Sequence, residues 1–188
     1  LSDHDKDDRR LVEYINNEEP VVKYGNPVLR EKSKFVTNFD DELPELSKRM
    51  EEIMREENGC GLAAPQVGIL KRMFVYDSGD GFHTVVNPKI TRSKGEQIGE
   101  EGCLSIPGLR GDVPRAFDVV VKGQDEFGNP IKIHAEEFEA RVLQHEIDHL
   151  DGILFIDEGR ADPDTLHWLT QEEIAEEEAD GSLEAHQE

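Results

Sequence analysis

The stretch QHEIDHLDG, Gln144 to Gly152, sets two histidines four residues apart with a glutamate beside the first. On a helix, residues four apart project from the same face, so His145 and His149 can present both imidazoles to one metal ion. Glu146 would then stand beside that ion as a general base. A surface helix with two incidental histidines would read the same way, and with seven histidines in the chain the trio alone does not decide.

The element that must carry this trio is FEARVLQHEIDHLDG, a helix expected from the mid-130s to Gly152. An earlier amphipathic helix is expected in DDELPELSKRMEEIMREENG, where Leu43, Leu46, Met50, Ile53 and Met54 recur at helical spacing, with Asp40 or Asp41 as N-cap and Gly59 as the stop. Before it, EPVVKYGNPVLREKSKFV reads as an extended arm with a turn at Gly25-Asn26-Pro27. Strands are expected in RMFVYD, HTVVNPKI, DVVVKGQD and PIKIHAEE, separated by the glycine turns DSGDG and DEFGNP. A third helix is expected in DPDTLHWLTQEEIAEEEA, with Asp162 as cap and Pro163 in its first turn. Helix, strands, then helix argue for a single α+β domain in which antiparallel or mixed sheets surround the metal-binding helix, flanked by an N-terminal and a C-terminal helix.

A chain of 188 residues can bury one sizeable core. No apolar run approaches the roughly 18 residues that span a bilayer, so no membrane association is expected. The opening Leu1 and SDHDKDD lack the basic start and apolar core of a signal peptide, which leads to a cytoplasmic expectation. Cys60 and Cys103 are the two cysteines, too few for a disulfide framework, which leaves metal binding or nucleophilic chemistry open to them.

The formal charge of −22 is concentrated at the ends: residues 1 to 20 hold seven acids against three bases, and residues 157 to 188 twelve against one. Such ends repel phosphate backbones, so no direct nucleic-acid binding is expected. A solvated, solubilising surface or adaptation to high salt explains the tails without any specific role. The expected division is an acidic extension over 1–19, a packed unit over 20–157 and an acidic helix and tail over 158–188.

Two more motifs gather around the histidine pair. GCGLAAPQVG, Gly59 to Gly68, has three glycines that let backbone approach a ligand closely, and EEGCLSIPG, Glu100 to Gly108, sets Cys103 after a glycine in a segment between strands. In the order GCGLAAPQVG, EEGCLS, QHEIDHLDG, the sequence closely resembles the peptide deformylases, over nearly all of residues 20 to 157.

The resemblance implies one divalent metal ion held by Cys103, His145 and His149. Three protein ligands leave one position for a water, whose pKa coordination lowers from 15.7 towards about 7. Fe²⁺ is implied as the physiological ion, while Zn²⁺, Ni²⁺ and Co²⁺ suit the same ligands. Glu146 becomes the acid–base residue. Gln66 and the backbone N–H of Leu104 match the family's donors to the oxyanion, although a turn-stabilising amide would also explain Gln66. The implied substrates are N-formylmethionyl ends of nascent chains, with transient ribosome proximity.

Gly61 would leave room for the peptide backbone, and Leu104, Val142 and Phe138 are expected pocket walls. Arg141 reads equally as a wall or as a surface arginine. Glu101, Arg115 and Asp148 are expected to support the metal ligands. Position 60 departs from the pattern, being Cys where the family usually has an aliphatic residue. Two other classes compete: a zinc protease, which also uses His-Glu-x-x-His but does not ask for the two other motifs, and a structural metal module closed by a fourth protein ligand.

Overall fold

The structure, a computed structural model, describes Ile15 and residues 18–184. Most of the expected acidic extension over 1–19 therefore lies outside the described residues. Helix α1 (Glu42–Glu56) forms where apolar residues recur at helical spacing, and Leu43, Leu46, Met50, Ile53 and Met54 are all buried. Each such side chain contributes about 2 kcal/mol by leaving water. Pro44 falls in the first turn, where a missing N–H breaks no helical bond. Asp40 Oδ1 accepts from the Glu42 N–H at 3.1 Å. At the other end the left-handed residue is Asn58, with φ 54°, and not the expected Gly59, whose N–H bonds Met54 O at 2.8 Å.

Seven strands follow: β1 (Gly61–Ala63), β2 (Met73–Asp77), β3 (Phe82–Lys94), β4 (Gln97–Cys103), β5 (Ile106–Arg115), β6 (Asp118–Gln124) and β7 (Pro130–Glu136). After α2 (Glu137–Leu150) come a short strand β8 (His167–Trp168) and α3 (Gln171–Glu184). One sheet has the order β1-β2-β3-β6-β7, the other β4-β5-β8. All paired strands run antiparallel, which decides between the two sheet types expected. The result is a single α+β domain.

Five elements differ from the sequence reading: β1, β4, β5 and β8 are strands it did not expect, and α3 starts late. Cys103, expected between strands, is the last residue of β4, which pairs with β5 in a hairpin. Gly99, Gly102, Pro107 and Pro114 interrupt the apolar alternation that would have announced this hairpin. The helix expected to start at Asp162-Pro163 makes only one 3-10 turn, Pro163–Thr165. The helix proper begins eight residues later behind Thr170 and Glu173, which form a capping box: Thr170 N–H donates to Glu173 Oε2 at 2.7 Å and Glu173 N–H to Thr170 Oγ1 at 3.3 Å.

Helix α2 packs against β1, β2, β6 and β7 of the larger sheet and β5 of the smaller. Its Ala140, Val142, Leu143, Ile147 and Leu150 join Phe74, Tyr76, Val85, Val119 and Val121 in one core cluster. This helix is therefore held from both sides, which fixes the rotation of its histidine face. It ends in a left-handed glycine: Gly152 has φ 72°, and the Ile153 N–H reaches back to Asp148 O at 2.9 Å. A side chain there would meet the Arg30 carbonyl, with Cβ 2.5 Å from its oxygen. Gly152→Ala should cost about 2 kcal/mol of stability through the positive φ and this collision. Urea denaturation measures it, and an unchanged midpoint would contradict the role given to Gly152.

Candidate metal centre and its cleft

Cys103 at the end of β4 and His145 and His149 on α2 converge. Cys103 Sγ lies 3.3 Å from His149 Nε2, and the two histidine Nε2 atoms are 3.2 Å apart. The helical turn between the histidines and the hairpin from the opposite sheet thus aim three donors at one point. Cys103 and His149 are buried, His145 partly so. Burial opposes ionisation of Cys103, but the facing His149 and His145 outweigh it and hold the thiol well below its ordinary pKa.

A buried carboxylate organises these residues. Glu101, two residues before Cys103, accepts from Arg115 Nε and Nη2, both at 2.9 Å, and from Arg141 Nη1 at 2.8 Å. Its Oε2 lies 2.9 Å from His145 Nδ1. With Nδ1–H donating to Glu101, the Nε2 lone pair of His145 is directed at the three-donor centre. Burial alone would raise the Glu101 pKa, yet the hydrogen bonds from Arg115 and His145 hold it well below the usual carboxylate range. Arg115 continues the chain to Asp148 at 2.6 Å, and Arg160 Nη2 donates to the other oxygen of Asp148 at 2.9 Å. Thus the expected supporting residues Glu101, Arg115 and Asp148 lie in one network. Arg141 joins it as a buried residue, against the surface alternative.

Glu146 is 4% exposed, and its Oε2 is buried with no hydrogen-bond partner among the described residues. Burial pushes its carboxyl above the usual carboxylate range, which suits a proton acceptor working near neutrality. Gly61 serves this carboxylate directly: a Cβ on Gly61 would collide with Glu146 Oε1. That contact occupies the Cβ side of Gly61, which also lines the cleft. Gln66 is buried with its Oε1 accepting from the Ala63 N–H at 2.9 Å. That orients its amide nitrogen towards Ser105 Oγ at 3.2 Å and Cys103 Sγ at 3.6 Å. The turn-stabilising role and an amide donor turned towards Cys103 therefore coexist in one side chain.

These groups open onto a cleft of about 910 Å³, lined among others by Gly61, Gln66, Leu104, Phe138, Arg141 and Val142. That size suits a small organic or peptide ligand. Phe138 is 53% exposed at its edge. Cys60 also lines it, and both cysteines are free thiols. Sequence reasoning missed Ser105, although it sits inside the quoted motif, and Arg160. It also missed Leu169, Ile174 and Glu177, which reach the same cleft from the C-terminal segment and carry no motif.

The donors fit a metal ion. Two imidazole nitrogens and a sulfur face one another at 3.2 and 3.3 Å, a spacing that fits donors sharing one cation. A tetrahedral ion with zinc-like bond lengths would separate its ligands by roughly 3.3 to 3.6 Å. No fourth Cys, His, Asp or Glu donor joins the group among the described residues. By type, a site of three protein ligands beside a buried carboxylate and an open cleft is that of a mononuclear metal hydrolase.

Comparisons with known proteins narrow this class. A family model described as Polypeptide deformylase matches residues 18–163. The peptide deformylase of Caldicellulosiruptor bescii is 47% identical over 161 residues, covering 86% of this chain and 93% of that protein. Among solved structures, the peptide deformylase of Thermotoga maritima superposes with a TM-score of 0.74 at 44% identity, over 76% of this chain and 97% of that one. The Synechococcus elongatus enzyme in complex with actinonin gives 0.73 at 38% identity, over 89% and 88%. The chain belongs to the polypeptide deformylase family, metal-dependent hydrolases that remove the N-formyl group from nascent polypeptides.

Glu101→Gln keeps the shape but leaves Arg141 without its buried counter-charge and Arg115 with Asp148 alone. It should destabilise the full chain by about 3 kcal/mol, read by urea denaturation. A loss within experimental error would mean that the network is not what joins β4 to α2.

Proposed function

We propose that this chain hydrolyses the formamide bond of N-formylmethionyl peptides, with Cys103, His145 and His149 holding a single Fe²⁺ as the physiological ion. Zn²⁺, Ni²⁺ or Co²⁺ suit the same donors. When bound, the ion supplies Lewis acidity, which activates water and polarises a carbonyl. The protein's own groups do the rest. Glu146 accepts the proton of the attacking water and returns it to the departing amine, so that formate and a free N-terminus result. The Gln66 amide and the Leu104 N–H donate to the carbonyl oxygen as it gains charge. Glu101 holds the His145 tautomer, with Arg115 and Asp148 steadying Glu101. Leu104, Phe138 and Val142, with the stem of Arg141, are the apolar walls for the methionine side chain, while Gly61 keeps space for Glu146.

The observation that carries this reading is the buried, unpartnered Glu146 Oε2 lining the same cleft as Cys103 and His145. An acid there has no structural partner to explain it. The substrates are nascent chains, met in the cytoplasm close to the ribosome, without direct nucleic-acid contact. No described helix is long and apolar enough to cross a membrane. The catalytic unit is read as 20–157, extended at its cleft by the later residues Leu169 and Ile174.

Ala at Cys103, His145 or His149 should each abolish tight metal retention, whereas Glu146→Gln should keep the metal and lose about 10³-fold in kcat. Anaerobic metal analysis and formate release from formyl-Met-Ala-Ser check both. Internal peptide cleavage without formate would favour the protease reading, and near-normal turnover of Glu146→Gln would remove Glu146 from the chemistry.

A further inference from the structure

The extended arm ahead of α1 touches two of the three motifs. Val21, 1% exposed, packs into the core cluster that holds the apolar face of α1. From there the Val22 N–H donates to the main-chain oxygen of Gln66 at 2.7 Å, and the Tyr24 N–H to Ser105 O at 2.8 Å. Lys23, between them, lines the cleft, and its Nζ donates to Leu104 O at 3.4 Å.

Leu104 and Ser105 are the two residues that turn the β4–β5 hairpin between the paired Cys103 and Ile106. Both of their carbonyls are thus taken by the arm. Gln66 is held twice, its main chain by Val22 and its side-chain Oε1 by the Ala63 N–H. The Gln66 amide and the Leu104 N–H come from different parts of the fold, one beside β1 of the larger sheet and one from the hairpin of the smaller. A direct link between the two segments is the bond from Gln66 Nε2 to Ser105 Oγ at 3.2 Å. The arm adds a second link, made by main chain at both ends.

The arm is itself fixed on either side of these contacts. Val21 anchors it before them. After them comes a β-turn in which the Asn26 N–H donates to Lys23 O at 3.2 Å and Gly25 has φ 101°. A positive φ at the third position makes this a type II turn with Tyr24 at the second. Leu29 is then buried, and Arg30 clamps Asp157 through two bonds of 2.7 and 2.9 Å.

We propose that residues 22–24 are a strap that sets the spacing of the two oxyanion donors, with Lys23 as its positioning side chain. The inference rests on the oxyanion roles given to Gln66 and Leu104 in the deformylase reading. Donors aimed at developing charge act in the transition state, so loosening the strap lowers kcat and leaves KM alone. A lysine that held the peptide substrate uniformly would change KM instead.

The test measures kcat and KM, by formate release from formyl-Met-Ala-Ser, for the Ni²⁺-loaded full chain, together with bound metal per chain and the urea midpoint. Tyr24→Pro suits the second position of a type II turn, where proline is favoured, and removes the N–H that Ser105 O accepts. It should lower kcat about 10-fold, through misplacement of the donors, with KM and metal content unchanged. Lys23→Met should lower kcat about 3-fold, and Lys23→Arg, which can still donate to Leu104 O, should restore it. Arg30→Met frees the arm at Asp157, away from both donors, and should lower the urea midpoint while leaving kcat intact. An unchanged kcat in Lys23→Met, a rise in KM alone, loss of metal, or an equal fall of kcat in Arg30→Met overturns the strap. Should Tyr24→Pro fail to fold, the lysine pair decides. No formate from the parent would instead overturn the deformylase reading, and the strap with it.

Discussion

The carboxylate of Glu101 is the constraint on which the site depends. It is buried in β4 and bound by Arg115, Arg141 and His145, residues drawn from β5 and α2. Burying a carboxylate in its charged form is costly, and for Glu101 three cationic or donor groups offset the desolvation. The return is geometric. The strand that ends in Cys103 and the helix that carries both histidines cannot slide past one another without breaking these bonds. The register shift in the β4–β5 ladder between Glu101 and Cys103 lies where a bulge re-aims side chains.

A second constraint is steric. Glu146 sits between His145 and Ile147 on α2 and must turn its carboxylate away from solvent into the cleft. The absent side chain of Gly61 makes this possible. Leu104 likewise fills the space above Gly59, where a Cβ would lie 2.6 Å from Leu104 Cδ1. Two of the three glycines of GCGLAAPQVG are therefore matched to particular neighbours, Gly61 to the carboxylate and Gly59 to the residue after Cys103. Gln66, in the same motif, reaches Ser105 Oγ and Cys103 Sγ with its amide nitrogen, so the three motifs form one packed unit.

Helices α1 and α2 were legible because their apolar spacing decides a buried face whatever packs on it. Glu101 with Arg115 was legible by resemblance, but its link to Arg141 was not, since nothing in a linear sequence distinguishes an arginine aimed inwards from one in solvent. The β4–β5 hairpin escaped notice because Gly99, Gly102 and Pro114 dilute its alternation, although its buried positions include Glu101, Cys103 and Val113. The late start of α3 escaped because Asp162-Pro163 is as good a turn signal as a helix signal, and Thr170 with Glu173 is the cap that wins. Its approach to the cleft depends on a two-residue strand, too short to carry any period.

X-ray absorption at the metal edge of the anaerobically loaded protein tests the central claim most directly, that one thiolate and two imidazoles hold a single ion. With Zn²⁺ as the probe, the account predicts one sulfur at about 2.3 Å and two imidazole nitrogens at about 2.0 to 2.1 Å. A shell without sulfur, or with a second sulfur that would have to come from Cys60, would contradict it.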